Sequence, residues 1–245
     1  MVIMSDNIEL NAVLERPEGV ARGPLCIIIH GFTGNLEEAH LAAVSDKMLE
    51  NNIATLRVDM YGHGRSGGTF EHHNLFKWLN NGLDIIDYAR KLDFVTDIYL
   101  CGHSQGGLLV MLLAAMERDR IKALIPLSPA TMIPDGARNG NLLGMEFDPE
   151  KLPPFLPVWD DRKLDNNYIR VAQTIDVEKA IAAYNGKALI VIGEADATVD
   201  YRDAERVASK YADCKFVIIP GDTHCFDRHV DQMASAVEDF MLSII

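Results

Sequence analysis

A serine between glycines, an aspartate and a histidine occur along this chain in the order that acyl transfer uses. Gly102-His103-Ser104-Gln105-Gly106 fits G-x-S-x-G and lies between an apolar run at 98–101 and a helical run at 107–117. In that context the pattern predicts a strand, a sharp turn and a helix, with the serine side chain forced out at the top of a sheet. The helix N-terminus and the Gln105 N–H then face the place where an oxyanion would form. A serine alcohol needs a base, and the base needs an orienting acid. Gly193-Glu194-Ala195-Asp196 follows the apolar run 188–192, and Gly221-Asp222-Thr223-His224 follows the run 216–219. His224 is the expected base and Asp196 the expected acid, with Glu194 and Asp200 as competitors for the acid role. His30-Gly31-Phe32-Thr33-Gly34 follows the run 25–29, and the Phe32 N–H is the expected second oxyanion donor. The glycine-rich stretch 59–68 matches neither G-x-x-x-x-G-K-S/T nor G-x-G-x-x-G, so it reads as a tight turn after the fourth strand.

These turns need a scaffold that brings strand ends to one edge. Runs at 2–5 and 8–14 flank Asp6-Asn7, a hairpin signal. The later runs at 25–29, 54–59, 98–101, 123–127, 188–192 and 216–219 are apolar on both faces, as strands covered by helices must be. Helical patterns at 36–51, 75–91, 105–117, 201–211 and 229–242 separate them. Strand–helix alternation predicts an α/β fold with a mostly parallel sheet wrapped on both sides. From Pro129 to about Ala183 the rhythm breaks, with six prolines and no convincing strand. Its apolar residues predict a small inserted lid subdomain, with residues 1–128 and 184–245 forming the core. The insertion follows a strand's carboxyl end, where open α/β sheets bind ligands.

Composition narrows the function classes. The 245 residues include 23 Lys and Arg against 36 Asp and Glu, a formal charge of −13, which repels phosphate backbones and anionic lipid. Nucleic acid and membrane are therefore not expected partners. No basic leader or long apolar run is visible, so the expected location is cytoplasmic. Cys26, Cys101, Cys214 and Cys225 have no CxxC spacing and read as reduced thiols. No H-E-x-x-H or other metal-ligand spacing occurs, and neither metal nor cofactor is expected. His72 and His73 read as solvated, His40 and His229 as helix residues, and His63 and His103 as structural.

With HGFTG, GHSQGG, GEADATV and GDTHCF in that order, the chain resembles the α/β-hydrolase superfamily over essentially its whole length. More narrowly, it resembles the bacterial hydroxycinnamoyl (feruloyl) esterases. That likeness rests on Leu127-Ser128-Pro129-Ala130, the insertion, the run Tyr168-Ile169-Arg170-Val171-Ala172-Gln173 and the His224-Cys225-Phe226 ending. GEADATVD has Ile192 where the common H-G-x-x-D-x-x-V pattern has His, and Asp196 stays in register. The resemblance implies an eight-stranded, mostly parallel sheet and ester hydrolysis by Ser104, His224 and Asp196, with Phe32 and Gln105 as oxyanion donors. It implies that Trp159 is an aromatic of the insertion loop, and that Asp135 and Tyr168 fall near the groups holding the phenolic end of an aromatic ester. A homodimer is compatible with it. Other readings are a monoacylglycerol lipase or general short-chain carboxylesterase, and, from another class, a hydrolase-fold receptor without catalysis.

Overall fold

Alternating apolar strands and amphipathic helices assemble into one eight-stranded sheet in the computed structural model, which describes residues 1–245. In chain order the strands are β1 (Val2–Ser5), β2 (Ile8–Glu15), β3 (Gly23–Ile29), β4 (Ala54–Val58), β5 (Val95–His103) and β6 (Ile121–Leu127). Four short ones follow, β7 (Asn141–Leu142), β8 (Met145–Glu146), β9 (Phe155–Val158) and β10 (Arg162–Asp165), before β11 (Lys187–Gly193) and β12 (Cys214–Ile219). The helices are α1 (Ala39–Glu50), α2 (Leu75–Arg90), α3 (Gln105–Met116), α4 (Ile133–Asn139), α5 (Asn167–Thr174), α6 (Val177–Ala183), α7 (Tyr201–Ala208) and α8 (Val230–Leu242).

The sheet order is β1-β2-β4-β3-β5-β6-β11-β12. Asp6 and Asn7 take left-handed angles, φ 48° and 60°, and close the β1–β2 hairpin in the twist that favours antiparallel pairing. β2 runs antiparallel to β4, and every pairing beyond β4 is parallel. The chain passes from β3 outward to β4 and then back across β3 to β5. That reversal opens a crevice beyond the carboxyl ends of β3 and β5, where α/β sheets place their ligands.

Side-chain alternation supplies two cores. On one face Cys26, Ile28, Cys101, Ile125 and Val191 pack with Leu41 and Met48 of α1 and Met233 and Phe240 of α8. On the other, Leu25, Ile27, Ile29, Leu100 and Leu124 pack with α2 and α3. The α3 run Leu108–Ala114 is buried on every side, which explains its lack of polar positions. No helix is long and apolar enough to cross a membrane. All four cysteines are free thiols, Cys26 and Cys101 buried.

Residues 129–183 carry more order than their prolines suggest. Contrary to the strand-free expectation, β7 pairs with β8 and β9 with β10, both antiparallel. Pro157 is tolerated because a two-stranded ribbon leaves alternate N–H groups unpaired, and Asp160 and Asp161 turn its tip at φ 61° and 55°. Leu142, Leu156, Val158, Leu164, Tyr168 and Ile169 share one apolar cluster with the face that packs on α2 and α3. Helix α1 starts at Ala39 rather than 36, since the Leu36 N–H donates to Asp59 Oδ1 at 2.8 Å and holds the preceding residues as a loop.

Candidate active site

The turn after β5 is dictated by glycine. A Cβ on Gly102 would run into the backbone of Gly106, and one on Gly106 into the carbonyl of His30. Between them Ser104 sits at φ 54°, ψ −116°, a conformation that costs energy and is held by its surroundings. The Ser104 N–H donates to the Leu127 carbonyl at 2.9 Å, and its own carbonyl accepts from Leu108 and Ala130 at 3.0 Å each. β6 and the start of α3 thus clamp the residue from both sides.

Loops from the next two parallel strands complete the constellation. His224 Nε2 lies 2.9 Å from Ser104 Oγ, and His224 Nδ1 lies 2.8 Å from Asp196 Oδ2. The other Asp196 oxygen accepts from the N–H groups of Thr198 and Val199 at 2.8 and 2.9 Å. Burial alone would raise the Asp196 carboxyl. The His224 hydrogen bond and charge and the two amides outweigh it, so the group lies below the ordinary carboxylate range. Glu194 instead accepts from the Gly221 N–H at 2.9 Å, and Asp200 caps α7 through the Arg202 N–H at 2.9 Å. Neither competitor for the acid position is hydrogen-bonded to His224.

Sequence reasoning singled out no role for Asp222, yet that fully buried residue ties the His224 loop together. It accepts from the N–H groups of Thr223, Arg228 and His229 at 2.8, 3.1 and 3.1 Å. An acidic residue just past an apolar strand, in Gly221-Asp222-Thr223, was the available signal. His103, behind the serine, places Nε2 2.8 Å from the His224 carbonyl and so anchors the same loop.

The oxyanion-facing loop is held by buried imidazoles. His30 Nδ1 lies 2.8 Å from the Gly31 carbonyl, its Nε2 accepts from the Met60 N–H at 3.0 Å, and burial pulls its pKa down to about 3. His63 Nε2 approaches the Phe32 carbonyl to 2.6 Å. The stretch 59–68 is thus a bracing turn: Asp59 accepts from Leu36, Asn11 and Arg65 at 2.8, 2.8 and 2.9 Å. Gln105 is the first residue of α3, so its N–H has no intrahelical acceptor. The Phe32 N–H is likewise without an internal backbone acceptor.

A cavity of about 130 Å³ lies over Ser104, lined by Phe32, Glu38, Leu143, Trp159, Thr198 and Cys225 among others. It shares Leu143 and Thr198 with a larger groove of about 520 Å³ along α4, whose lining includes Met132, Ile133 and Asp135. A nucleophile lining a cavity, a paired imidazole and two amides without backbone acceptors can carry out acyl transfer.

Comparison with known proteins bears on the same residues. The family described as serine aminopeptidase, S33 matches residues 22–168, which include both oxyanion-side loops and Ser104. A structure of Est1E from Butyrivibrio proteoclasticus with ferulic acid bound is 58% identical and superposes with a TM-score of 0.99, covering 100% of this chain and 98% of that one. The chain belongs to the α/β-hydrolase serine esterases. A second Est1E structure is 56% identical with a TM-score of 0.94, over 99% of this chain and 97% of that one. An esterase of Escherichia coli strain K12, YbfF, is 32% identical over 106 residues, 42% of this chain and 38% of its own length. The chain spans about two fifths of the length of the curated relatives it matches.

In this serine esterase the segment 129–183 brings side chains against the oxyanion-facing loop. Trp159, at the tip of the β9–β10 ribbon, is 46% exposed, and its ring centroid lies 5.7 Å from that of Phe32. Arg162 Nη1 reaches the Thr33 carbonyl at 3.4 Å and ties the ribbon to the oxyanion-facing loop. Tyr168 is fully buried, and its hydroxyl donates to Gln105 Oε1 at 2.5 Å. Its ring packs against Phe32 and His73 with centroids 5.6 and 5.2 Å apart. Asp135 stands exposed on α4, ion-paired with Arg138 at 2.7 Å, at the groove rather than over Ser104. His72 is half-exposed, but His73 is buried beneath Phe32, which corrects the expectation that both are solvated. Packing of the 3₁₀ turn Phe70–His72 against the oxyanion-facing loop turns that ring inward.

Proposed function

We propose that this esterase hydrolyses hydroxycinnamate esters such as ferulate, caffeate and p-coumarate esters through an acyl-enzyme on Ser104. The observation that carries the reading is full-length likeness, at 58% identity, to Est1E, which has been seen with ferulic acid bound. A slot beside Ser104 lined by Phe32 and Trp159, next to a longer groove that shares Leu143 and Thr198 with it, supports it. Ser104 Oγ attacks the ester carbonyl as His224 Nε2 takes its proton, and Asp196 holds the imidazole with Nδ1–H toward itself. The Phe32 and Gln105 amides hold the negative oxygen of the tetrahedral intermediate. Its collapse passes the proton from His224 to the leaving alcohol. Water, activated by the same His224, then releases the hydroxycinnamic acid and restores Ser104. None of these steps requires a metal or cofactor.

Two predictions test the roles. Asp196→Asn lowers kcat by roughly 10⁴-fold, because an amide in that place favours the wrong imidazole tautomer. Glu194→Gln has a far smaller effect, since its hydrogen bond goes to the Gly221 N–H. Steady-state kinetics of both variants checks this, and the reverse ranking would move the acid to Glu194. Trp159→Ala lowers kcat/KM for methyl ferulate by about ten-fold or more while sparing p-nitrophenyl acetate, whose acyl group is too small to reach the indole. An equal loss on both esters with a large fall in Tm would make Trp159 a packing residue.

The reading as a whole is tested by comparing methyl ferulate, caffeate and p-coumarate with a monoacylglycerol. Higher kcat/KM for the three aromatic esters supports it. A preference for the monoacylglycerol would reassign the enzyme to lipid hydrolysis.

A further inference from the structure

Behind the catalytic pair, three ligand-type atoms converge without partners. Glu38, His40 and His103 each offer one, all lying within 4.8 Å of one another. Glu38 Oε2, His40 Nε2 and His103 Nδ1 are each buried with no hydrogen-bond partner. An unpaired buried polar atom loses its hydration without a replacement partner, so three gathered this closely call for a shared occupant. We propose that they form a binding site for a zinc-class divalent cation.

The protonation state of His103 suits that role. Its Nε2 is 2.8 Å from the His224 carbonyl, which can only accept, so Nε2 carries the hydrogen and Nδ1 presents a lone pair to the site. A ring N–H bound to a backbone carbonyl is the usual outer contact of a metal-ligating histidine. His40 is 3% exposed, and its ring meets that of His103 edge-on with centroids 4.2 Å apart. Space for the carboxylate depends on Gly34, where a Cβ would strike the Glu38 carboxyl.

Two imidazoles and one carboxylate favour zinc or cobalt over calcium or magnesium, which prefer all-oxygen sets. His40 Nε2 and Glu38 Oε2 are 3.9 Å apart. Ligands of a tetrahedral zinc at about 2.0–2.1 Å stand roughly 3.3 Å apart, so loading draws these side chains together by about half an ångström or more. Glu38 and His103 also line the cavity over Ser104, leaving the remaining coordination position to water from that side. Linear spacing conceals the set, because His40 lies two residues after Glu38 while His103 arrives from β5 across the sheet.

The test uses the full chain freed of metal by a chelator and then titrated with Co²⁺ or Zn²⁺. One equivalent is expected to be retained on dialysis. Co²⁺ should give visible d–d bands of a tetrahedral site without the near-ultraviolet thiolate band that Cys225 would contribute. His40→Gln and Glu38→Gln should each weaken binding at least ten-fold. Circular dichroism identifies a variant that fails to fold, and the other variant then decides. Absence of a retained equivalent, unchanged affinity in a folded variant, or a thiolate band would overturn the proposal, the first leaving the pocket as a water site only.

Discussion

Ser104→Ala is expected to lower kcat roughly 10⁴–10⁶-fold on any ester the enzyme accepts, with the fold intact. The substitution removes the atom that forms the acyl bond and the partner 2.9 Å from His224 Nε2. Alanine keeps a Cβ, so the left-handed backbone at φ 54° is no more strained than in the native chain. The clamps on the position are main-chain bonds to Leu127, Leu108 and Ala130, and they survive the change. Residual turnover would come from the Phe32 and Gln105 amides acting on attack by water. Kinetics with a p-nitrophenyl ester and a thermal melt check both halves of the expectation. A variant retaining more than a tenth of native activity would remove Ser104 from the mechanism.

Stability is expected to fall steeply with acid between pH 7 and 5. Burial lowers His30 to about 3 and His40 to about 4, and takes His73 and His103 well below the ordinary histidine range. Each stays neutral in the folded protein and takes a proton on unfolding once pH drops through about 6.5. Their contribution to stability is therefore fully present above that pH and lost below it. Glu38 acts in the opposite direction, since burial raises it to about 7 and the folded chain then holds a proton that the unfolded one releases. Between about pH 6.5 and 5 the unfolded state therefore binds more protons than the folded one, and stability falls as pH drops through that window. Tm is therefore expected to fall from pH 7 to pH 5. Melts in chelator at pH 7, 6 and 5 would show it, whereas a flat Tm would mean that the imidazoles are not held neutral.

Much of this site was legible because its determinants are local. Gly102 and Gly106 are required by contacts within one turn and its neighbouring strand end, so the pattern announces the serine's geometry. Doubly apolar strands at regular intervals imply a covered parallel sheet, and such a sheet brings the loops carrying Phe32, Ser104, Asp196 and His224 to one edge. Tertiary structure decided what depends on direction across that edge. Asp196 meets a histidine 28 residues away, and Ser104 meets the same ring across 120 residues. Glu194, two positions earlier, turns to a different backbone amide. Tyr168 faces Gln105 instead of open space, and His73 points inward while its neighbour His72 faces solvent. The prolines of residues 129–183 conceal two hairpins held by antiparallel pairing. Composition and spacing describe what a residue can do; which partner it meets follows from the crossing of β3, β5, β6, β11 and β12, whose contacts join positions far apart in the chain.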